Sequence, residues 1–319
     1  MPEKMDLLLV DGPHALYRAA FAAGNLTYER KGVVHEVGGA FAMLTMLRRL
    51  HPEWGGLVVV AWEDPKRHIR SYRRQLYPVY KTTPDDEVDM GVMNMRQFVR
   101  EQQSLISPLL SMIGIPQVWS PEFEADDVIA ALCKRYEGKK EIAVMTGDKD
   151  MFGVIRPGIR LLRPQMSEGK SKNKYEVVGV DEWTEGHSKW PKGHLIETTQ
   201  WSEVLTLWGD TADGIPGVKG IGPVTAEKLL VEYGSVLGVI EAAKKGEVHR
   251  FSEAIVAMES QLMMNLKLAA LYPDAPLEFV MPNRNPKALR RKFREMKMST
   301  MLVGMEFDHL MEMGCGGEE

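Results

Sequence analysis

At 319 residues the chain is long enough for one large domain or two modest ones with a sizeable core. Apolar content of 44% and charged content of 26% are those of an ordinary soluble globular protein, and no apolar run approaches a membrane span. Two cysteines, Cys133 and Cys315, argue against a disulfide framework or a zinc site, so a reducing, cytoplasmic setting is expected.

Residues 6–10 read as a short buried strand ending at Asp11-Gly12, too short in its apolar part for a signal peptide, with a helix over 15–23. After a Gly/Asn/Thr loop and a second helix over 37–50, a β-branched strand at 56–61 again ends in acid, at Glu63-Asp64. Carboxylates at strand ends suit the rule that α/β sites form outside the carboxyl ends of parallel strands. Residues 65–81 interleave Lys66, Arg67, Arg70, Arg73, Arg74 and Lys81 with His68, Tyr72, Tyr77 and Tyr80. A solvated basic helix face is one reading; phosphate contacts with a base-stacking aromatic is the favoured one.

An acidic, Met-rich segment at 84–95 leads to a long helix over 95–112 and a strand at 115–118. Then Glu124-Ala125-Asp126-Asp127 places three carboxylates in four positions ahead of an apolar run. A helix start explains acid there, because the macrodipole and free N–H groups favour negative charge. Yet acid recurs at Asp11, at Asp64, at Asp148 with Asp150, and at Asp210 with Asp213. Like charges gathered in one place repel unless a cation neutralises them, so a fold uniting these residues calls for divalent metal. With the nine set aside, the net charge of −4 gives way to a mildly basic body, compatible with DNA.

A strand over 141–146 precedes Gly147-Asp148-Lys149-Asp150, and late strands are expected at 159–163 and 175–178. Residues 165–200 are long and polar, with no role assigned. From 201 the pattern turns helical. Gly217-Val218-Lys219-Gly220-Ile221-Gly222 reads as a hairpin between helices whose glycines let backbone N–H groups face a phosphate oxygen, reading duplex DNA without sequence preference. A glycine-rich connector needing no ligand is the alternative. Helices with a basic run at Arg290-Arg291-Lys292 fill 250–310, the end from 314 reads as a frayed tail, and the 21 methionines read as core filling.

In this order the motifs resemble the structure-specific 5′ nucleases, or flap endonucleases, which include the 5′–3′ exonuclease domain of bacterial DNA polymerase I and the bacteriophage 5′-exonucleases. Val10-Asp-Gly12 with Tyr17-Arg18, Glu124-Ala-Asp-Asp127, Thr146-Gly-Asp-Lys-Asp150, and Gly209-Asp-x-x-Asp213 leading into the hairpin carry the resemblance, over residues 6–270. It implies an α/β fold, a mostly parallel central sheet flanked by helices, with an appended helical domain carrying a helix-hairpin-helix motif. The implied divisions are 1–200, with a mobile arch at 82–105, then 201–300, then a terminal helix and tail at 301–319. It implies one metal cluster from Asp11, Asp64, Glu124, Asp126 and Asp127, and a second from Asp148, Asp150, Asp210 and Asp213. The all-oxygen set suits two Mg²⁺ or Mn²⁺ ions, with K⁺ at the hairpin. Arg18, Arg73 and Lys81 would handle phosphate, with Arg70 the alternative to Arg73, and Tyr80 would stack on a base. The implied enzyme is a monomeric, membrane-free 5′ nuclease hydrolysing DNA at 5′ single-stranded ends and flaps. RNA primers in RNA–DNA hybrids remain open as substrate, and a non-catalytic DNA binder is disfavoured because all nine carboxylates are present.

Overall fold

The computed structural model describes residues 4–22, 26–30, 32–64, 71–82, 90–165, 175–303 and 305–314. In chain order these form β1 (Leu7–Asp11), α1 (Gly12–Ala22), β2 (Thr27–Arg30), β3 (Val33–Glu36), α2 (Gly38–Trp54), β4 (Leu57–Ala61), α3 (Tyr72–Leu76), α4 (Met90–Ile113), β5 (Gln117–Trp119), α5 (Ala125–Tyr136), β6 (Ile142–Met145), β7 (Ile159–Pro164), β8 (Tyr175–Val178) and α6 (Val180–Glu185). The remainder is almost wholly helical: α7 (Trp201–Trp208), α8 (Pro223–Tyr233), α9 (Val236–Lys244), α10 (Ser252–Ala257), α11 (Glu259–Ala269), the short β9 (Glu278–Val280), α12 (Pro286–Glu295) and α13 (Met305–Glu312).

The sheet order is β8-β7-β6-β1-β4-β5-β9, with only the outer pairs β7–β8 and β5–β9 antiparallel. β1 is buried along its whole length because both faces are covered, which its unbroken Leu-Leu-Leu-Val run requires. It pairs with β4 on one side and β6 on the other, Val10 lying opposite both Val60 and Met145. The chain therefore reverses its direction of travel across the sheet at β1. Crevices form at such switch points, outside the carboxyl ends of the strands.

One face of the sheet buries Leu8, Val10, Val58 and Val60 against α1, α2, α4 and the terminal helices. The other buries Leu7, Leu9 and Val59 with α5, and the same apolar cluster continues through Trp201, Leu205, Leu230 and Leu262 of the helical region. The sheet and the helices beyond residue 200 thus share one core.

The strands expected at 6–10, 56–61, 115–118, 141–146, 159–163 and 175–178 are all present, within a residue or two. α4 begins earlier than expected, at Met90, so the expected arch is continuous helix from Met90 onward, and 83–89 lie outside the described residues. The β2–β3 hairpin and β9 were not anticipated. The unassigned stretch 165–200 contributes β8, α6 and an aromatic box: Trp183 stacks on His194 at 3.6 Å between ring centroids, with Phe152, Trp190 and Trp201 around them. His194 Nδ1 lies 2.6 Å from Glu227 Oε1 of α8, and His194 Nε2 lies 3.2 Å from His187 Nε2. That box fastens the stretch from Trp183 to His194 to the helix following the glycine-rich hairpin. Among the described residues no helix is long and apolar enough to cross a membrane. Cys133 is a buried free thiol, and Cys315 lies outside the described residues.

Candidate active site

The sheet delivers its acids to one edge. Asp11 ends β1, Asp64 follows β4, Glu124 caps α5 just after β5, and Asp148 and Asp150 follow β6. The helical region adds Asp210 and Asp213 from the loop before the hairpin, where Lys81 N–H donates to the Asp213 carbonyl (3.0 Å).

At the centre, Asp11 Oδ2 accepts from Thr146 Oγ1 (2.8 Å) and Oδ1 from the His14 N–H (3.0 Å). Burial pushes the Asp11 carboxyl up to about 7, with Asp148 and Glu63 adding repulsion. Asp126 and Asp150 are held well above the ordinary carboxylate range by burial first and by Asp148 next, with Asp11 also acting on Asp126 and Asp210 on Asp150. Asp150 Oδ1 is buried and accepts no hydrogen bond; Lys149 Nζ stands 3.7 Å away and also pairs with Asp210.

A second group lies beside it. Tyr80, 2% exposed, directs its hydroxyl at Glu124 Oε2 (2.9 Å) and Asp213 Oδ2 (2.8 Å). Lys81 Nζ lies 3.2 Å from Glu124 Oε1 and 3.3 Å from Asp213 Oδ2. Burial opposes its charge, but Glu124, Tyr80, Asp213 and Asp126 outweigh it and hold the ammonium well above its usual pKa. Lys81 sits at φ 52°, in the left-handed region, a strain that tends to be stored at functional positions. The two expected clusters are therefore interleaved: Asp126 faces Asp148 and Asp11, while Glu124 and Asp213 share Tyr80 and Lys81.

Three expectations need correction. Asp127 is fully buried, and its oxygens accept from Arg73 Nη1 (2.6 Å) and Nη2 (2.9 Å), the Tyr272 N–H (3.0 Å) and the Glu124 N–H (3.1 Å). Four hydrogen bonds fill the lone pairs of a carboxylate, leaving none for an ion. Arg73 spends its donors on Asp127, on Glu124 Oε2 (3.3 Å) and on the Leu268 and Ala270 carbonyls (2.8 and 2.7 Å), so it ties α3 and α5 to the end of α11 and has none left for phosphate. Tyr80 is walled in and offers no face to a base. Arg70 lies outside the described residues. Arg18, half-buried on α1 one turn beyond His14, has no partner among the described residues and keeps its guanidinium available.

Asp64 is buried, and its Oδ2 accepts the Glu122 N–H (3.0 Å). Sequence reasoning missed His14, Lys149 and Tyr272. His14 Nε2 accepts the Gly147 N–H (3.0 Å), and burial lowers its pKa to about 4, so the neutral ring joins the turn after β1 to the loop after β6. Its place three residues after Asp11, and that of Lys149 inside Gly147-Asp148-Lys149-Asp150, were visible signals; Tyr272 gave none.

The donor set suits hard dications. Buried carboxylates forced together, an orphaned Asp150 oxygen and two ammonium groups among eight acids leave negative charge uncompensated. As they stand, no three His, Cys, Asp or Glu side chains among the described residues are already gathered around a single ion position.

At the hairpin, Val218 and Ile221 are buried anchors, and the Val218 N–H donates to the Leu207 carbonyl (2.9 Å). Gly217 is required by crowding, because a Cβ there would fall 1.8 Å from the Trp208 carbonyl oxygen. Gly220 turns at φ 85°. Among the described residues the N–H groups of Lys219, Gly220 and Gly222 have no partner, and they lie at the start of α8.

Residues 6–185 match the model of the 5′-3′ exonuclease N-terminal resolvase-like domain, and residues 196–292 that of the 5′-3′ exonuclease C-terminal SAM fold. The chain belongs to the 5′-3′ exonuclease family. It is similar to the thermostable DNA polymerase I of Thermus aquaticus, 33% identical over 96% of this chain and 32% of that one, and spans about a third of the length of such relatives. The 5′-3′ exonuclease of Aquifex aeolicus is 26% identical over 93% of both chains. The fold is shared with the phage T5 D15 protein co-crystallised with metal ions, at TM-score 0.65 and 18% identity over 83% of this chain and 89% of that one. It is shared also with the catalytic core of Rad2 in complex with DNA substrate, at TM-score 0.53 and 18% identity over 96% and 92%.

Proposed function

We propose that the chain is a divalent-metal-dependent 5′ nuclease that hydrolyses DNA phosphodiesters at 5′ ends and 5′ flaps. The observation that carries this reading is the packing of Asp11, Asp126, Asp148 and Asp150 at one buried edge with too little positive charge to balance them. Mg²⁺ or Mn²⁺ held by these four with Asp210, Asp213, Glu124 and Asp64 would activate water and neutralise the leaving oxygen of a phosphodiester. Arg18 is suited to grip a phosphate, and Lys81 to meet negative charge developing on the scissile group once Glu124 turns to a cation. Arg73 and Asp127 are a structural strut, and Tyr80 a spacer between Glu124 and Asp213. The free N–H groups of Lys219, Gly220 and Gly222 suit duplex phosphate, with K⁺ as the expected companion. Related 5′-3′ exonucleases and the DNA complex of Rad2 support the same substrate class.

The test is cleavage of a 5′-labelled flap duplex with Mg²⁺ by the wild type, Asp126→Ala and Asp148→Ala. The reading requires junction-proximal cutting by the wild type and loss of cutting with retained DNA binding in both variants. Binding without product in either Mg²⁺ or Mn²⁺ would sink it. The same preparation on an RNA–DNA hybrid separates the two substrate classes, and light scattering checks the expected monomer.

A further inference from the structure

Outside the site the strongest unexplained charge is on α12. Residues 284–297 hold seven cations and one acid in a chain whose net charge is −4. The helix buries Leu289 and Phe293 and turns Lys287, Arg291 and Arg294, spaced four and three apart, to the opposite side. The cations that build the fold are partnered: Lys292 pairs with Glu295 (3.0 Å), and Arg290 lies 3.6 Å above the Phe307 ring. Lys287, Arg291 and Arg294 are exposed and, among the described residues, have no partner.

The end of the helix extends the stripe. The Met298 N–H donates to the Phe293 carbonyl (2.8 Å) and the Lys297 N–H to that of Arg294 (3.2 Å), a glycine-type C-cap. Lysine occupies the left-handed position, at φ 56°, where a β-carbon is strained and glycine is the favoured residue. A fourth exposed cation is thus kept at a place that favours glycine.

We propose that this outer face of α12 docks the backbone of duplex DNA flanking the bond to be cut. The inference rests on the DNA reading above. Lys287 to Arg294 spans about 10 Å of helix, roughly three phosphates of one strand. A membrane fits poorly, because the apolar face that would enter it is already in the core. The Asn285 and Asn283 N–H groups donate to the Met112 carbonyl (2.8 Å) and Ser111 Oγ (3.0 Å), at the end of α4 that leads into the sheet. The helix therefore begins at the edge opposite the carboxylates, about 16 Å or more away by strand length. Only a duplex reaching at least about five base pairs beyond the site could touch it.

The experiment is fluorescence-anisotropy binding of the full chain, without divalent ions, to flap duplexes with arms of 3 base pairs closed by a stable hairpin loop or of 20 base pairs, across a salt series. The variant is Lys287→Gln/Arg291→Gln/Arg294→Gln. Expected is at least a tenfold loss of affinity on long arms, with the slope of log K against log salt reduced by about 2–3. Short-arm binding should be unchanged, as should short-arm cleavage in a parallel assay with Mg²⁺. Wild-type affinity and slope on long arms, or equal loss on both arm lengths, overturns the proposal. The single Arg291→Gln, expected to lower the slope by about 1 on long arms only, repeats the test should the triple variant not fold. A wild type that binds neither duplex brings down the DNA reading itself, a distinct result.

Discussion

Arg73 and Asp127 saturate each other: the guanidinium gives two short bonds to the carboxylate, and every other donor and lone pair of the two is spent on Glu124, Leu268, Ala270 and Tyr272. One acid of the central motif is thereby withdrawn from chemistry and made into a joint. Its neighbour Asp126 is turned toward Asp148 and Asp11 instead.

Removing one partner of a buried pair strands the other. Arg73→Met should destabilise the protein by about 3–5 kcal/mol, and Arg73→Met/Asp127→Leu should recover much of that loss. Thermal unfolding checks both. A stable Arg73→Met whose DNA binding has a shallower salt dependence would restore the phosphate role.

Tyr80→Phe keeps the ring and deletes the hydroxyl between Glu124 and Asp213. Metal-free stability should fall by about 1–2 kcal/mol, and added Mg²⁺ should narrow the deficit. A base-stacking Tyr80 predicts the reverse pattern, unchanged stability and unchanged DNA affinity.

Charge removed from the centre should stabilise the metal-free protein. Asp126→Asn is expected to raise its melting temperature at pH 8 by an amount equivalent to about 1 kcal/mol while abolishing the increment from Mg²⁺. A lower melting temperature without metal would show that Asp126 is structural.

His187 is buried, and burial, reinforced by His194, lowers its pKa from 6.5 to about 4. Between those values the unfolded chain binds a proton that the folded state refuses. Its penalty is absent above pH 6.5 and grows as pH falls toward 4, to a cost of order 3 kcal/mol. Denaturant melts of wild type and His187→Gln with saturating Mg²⁺ should diverge over that window, the wild type falling faster. Parallel profiles would mean that the aromatic box opens to admit the proton.

The sheet was legible because apolar strands such as residues 7–10 and 142–145 end abruptly in acid, and the acids were legible as a set. Their orientation was not. Asp126 and Asp127 are adjacent in sequence, but a helix turns about 100° per residue, so one faces the cluster and the other Arg73, a partner 54 residues away. Tyr80 looked like a stacking residue because its hydroxyl partners, Glu124 and Asp213, come from distant segments. The β2–β3 hairpin was overlooked although Lys31-Gly32 between two β-rich runs signals a turn; β9 is too short and exposed to announce itself.

The interlocking of Tyr80 and Lys81 with Asp213 bears on the order of synthesis. A chain emerging from the ribosome completes Asp11 through Asp150 well before Asp213 appears, and until then one sheet face lacks the helices that share its core. Domains fold as they emerge, but here the acidic centre gains its last walls only from the second half. A half-made chain therefore lacks a finished centre, and the order in which the residues are made leaves that centre open until Asp213 and its helices arrive.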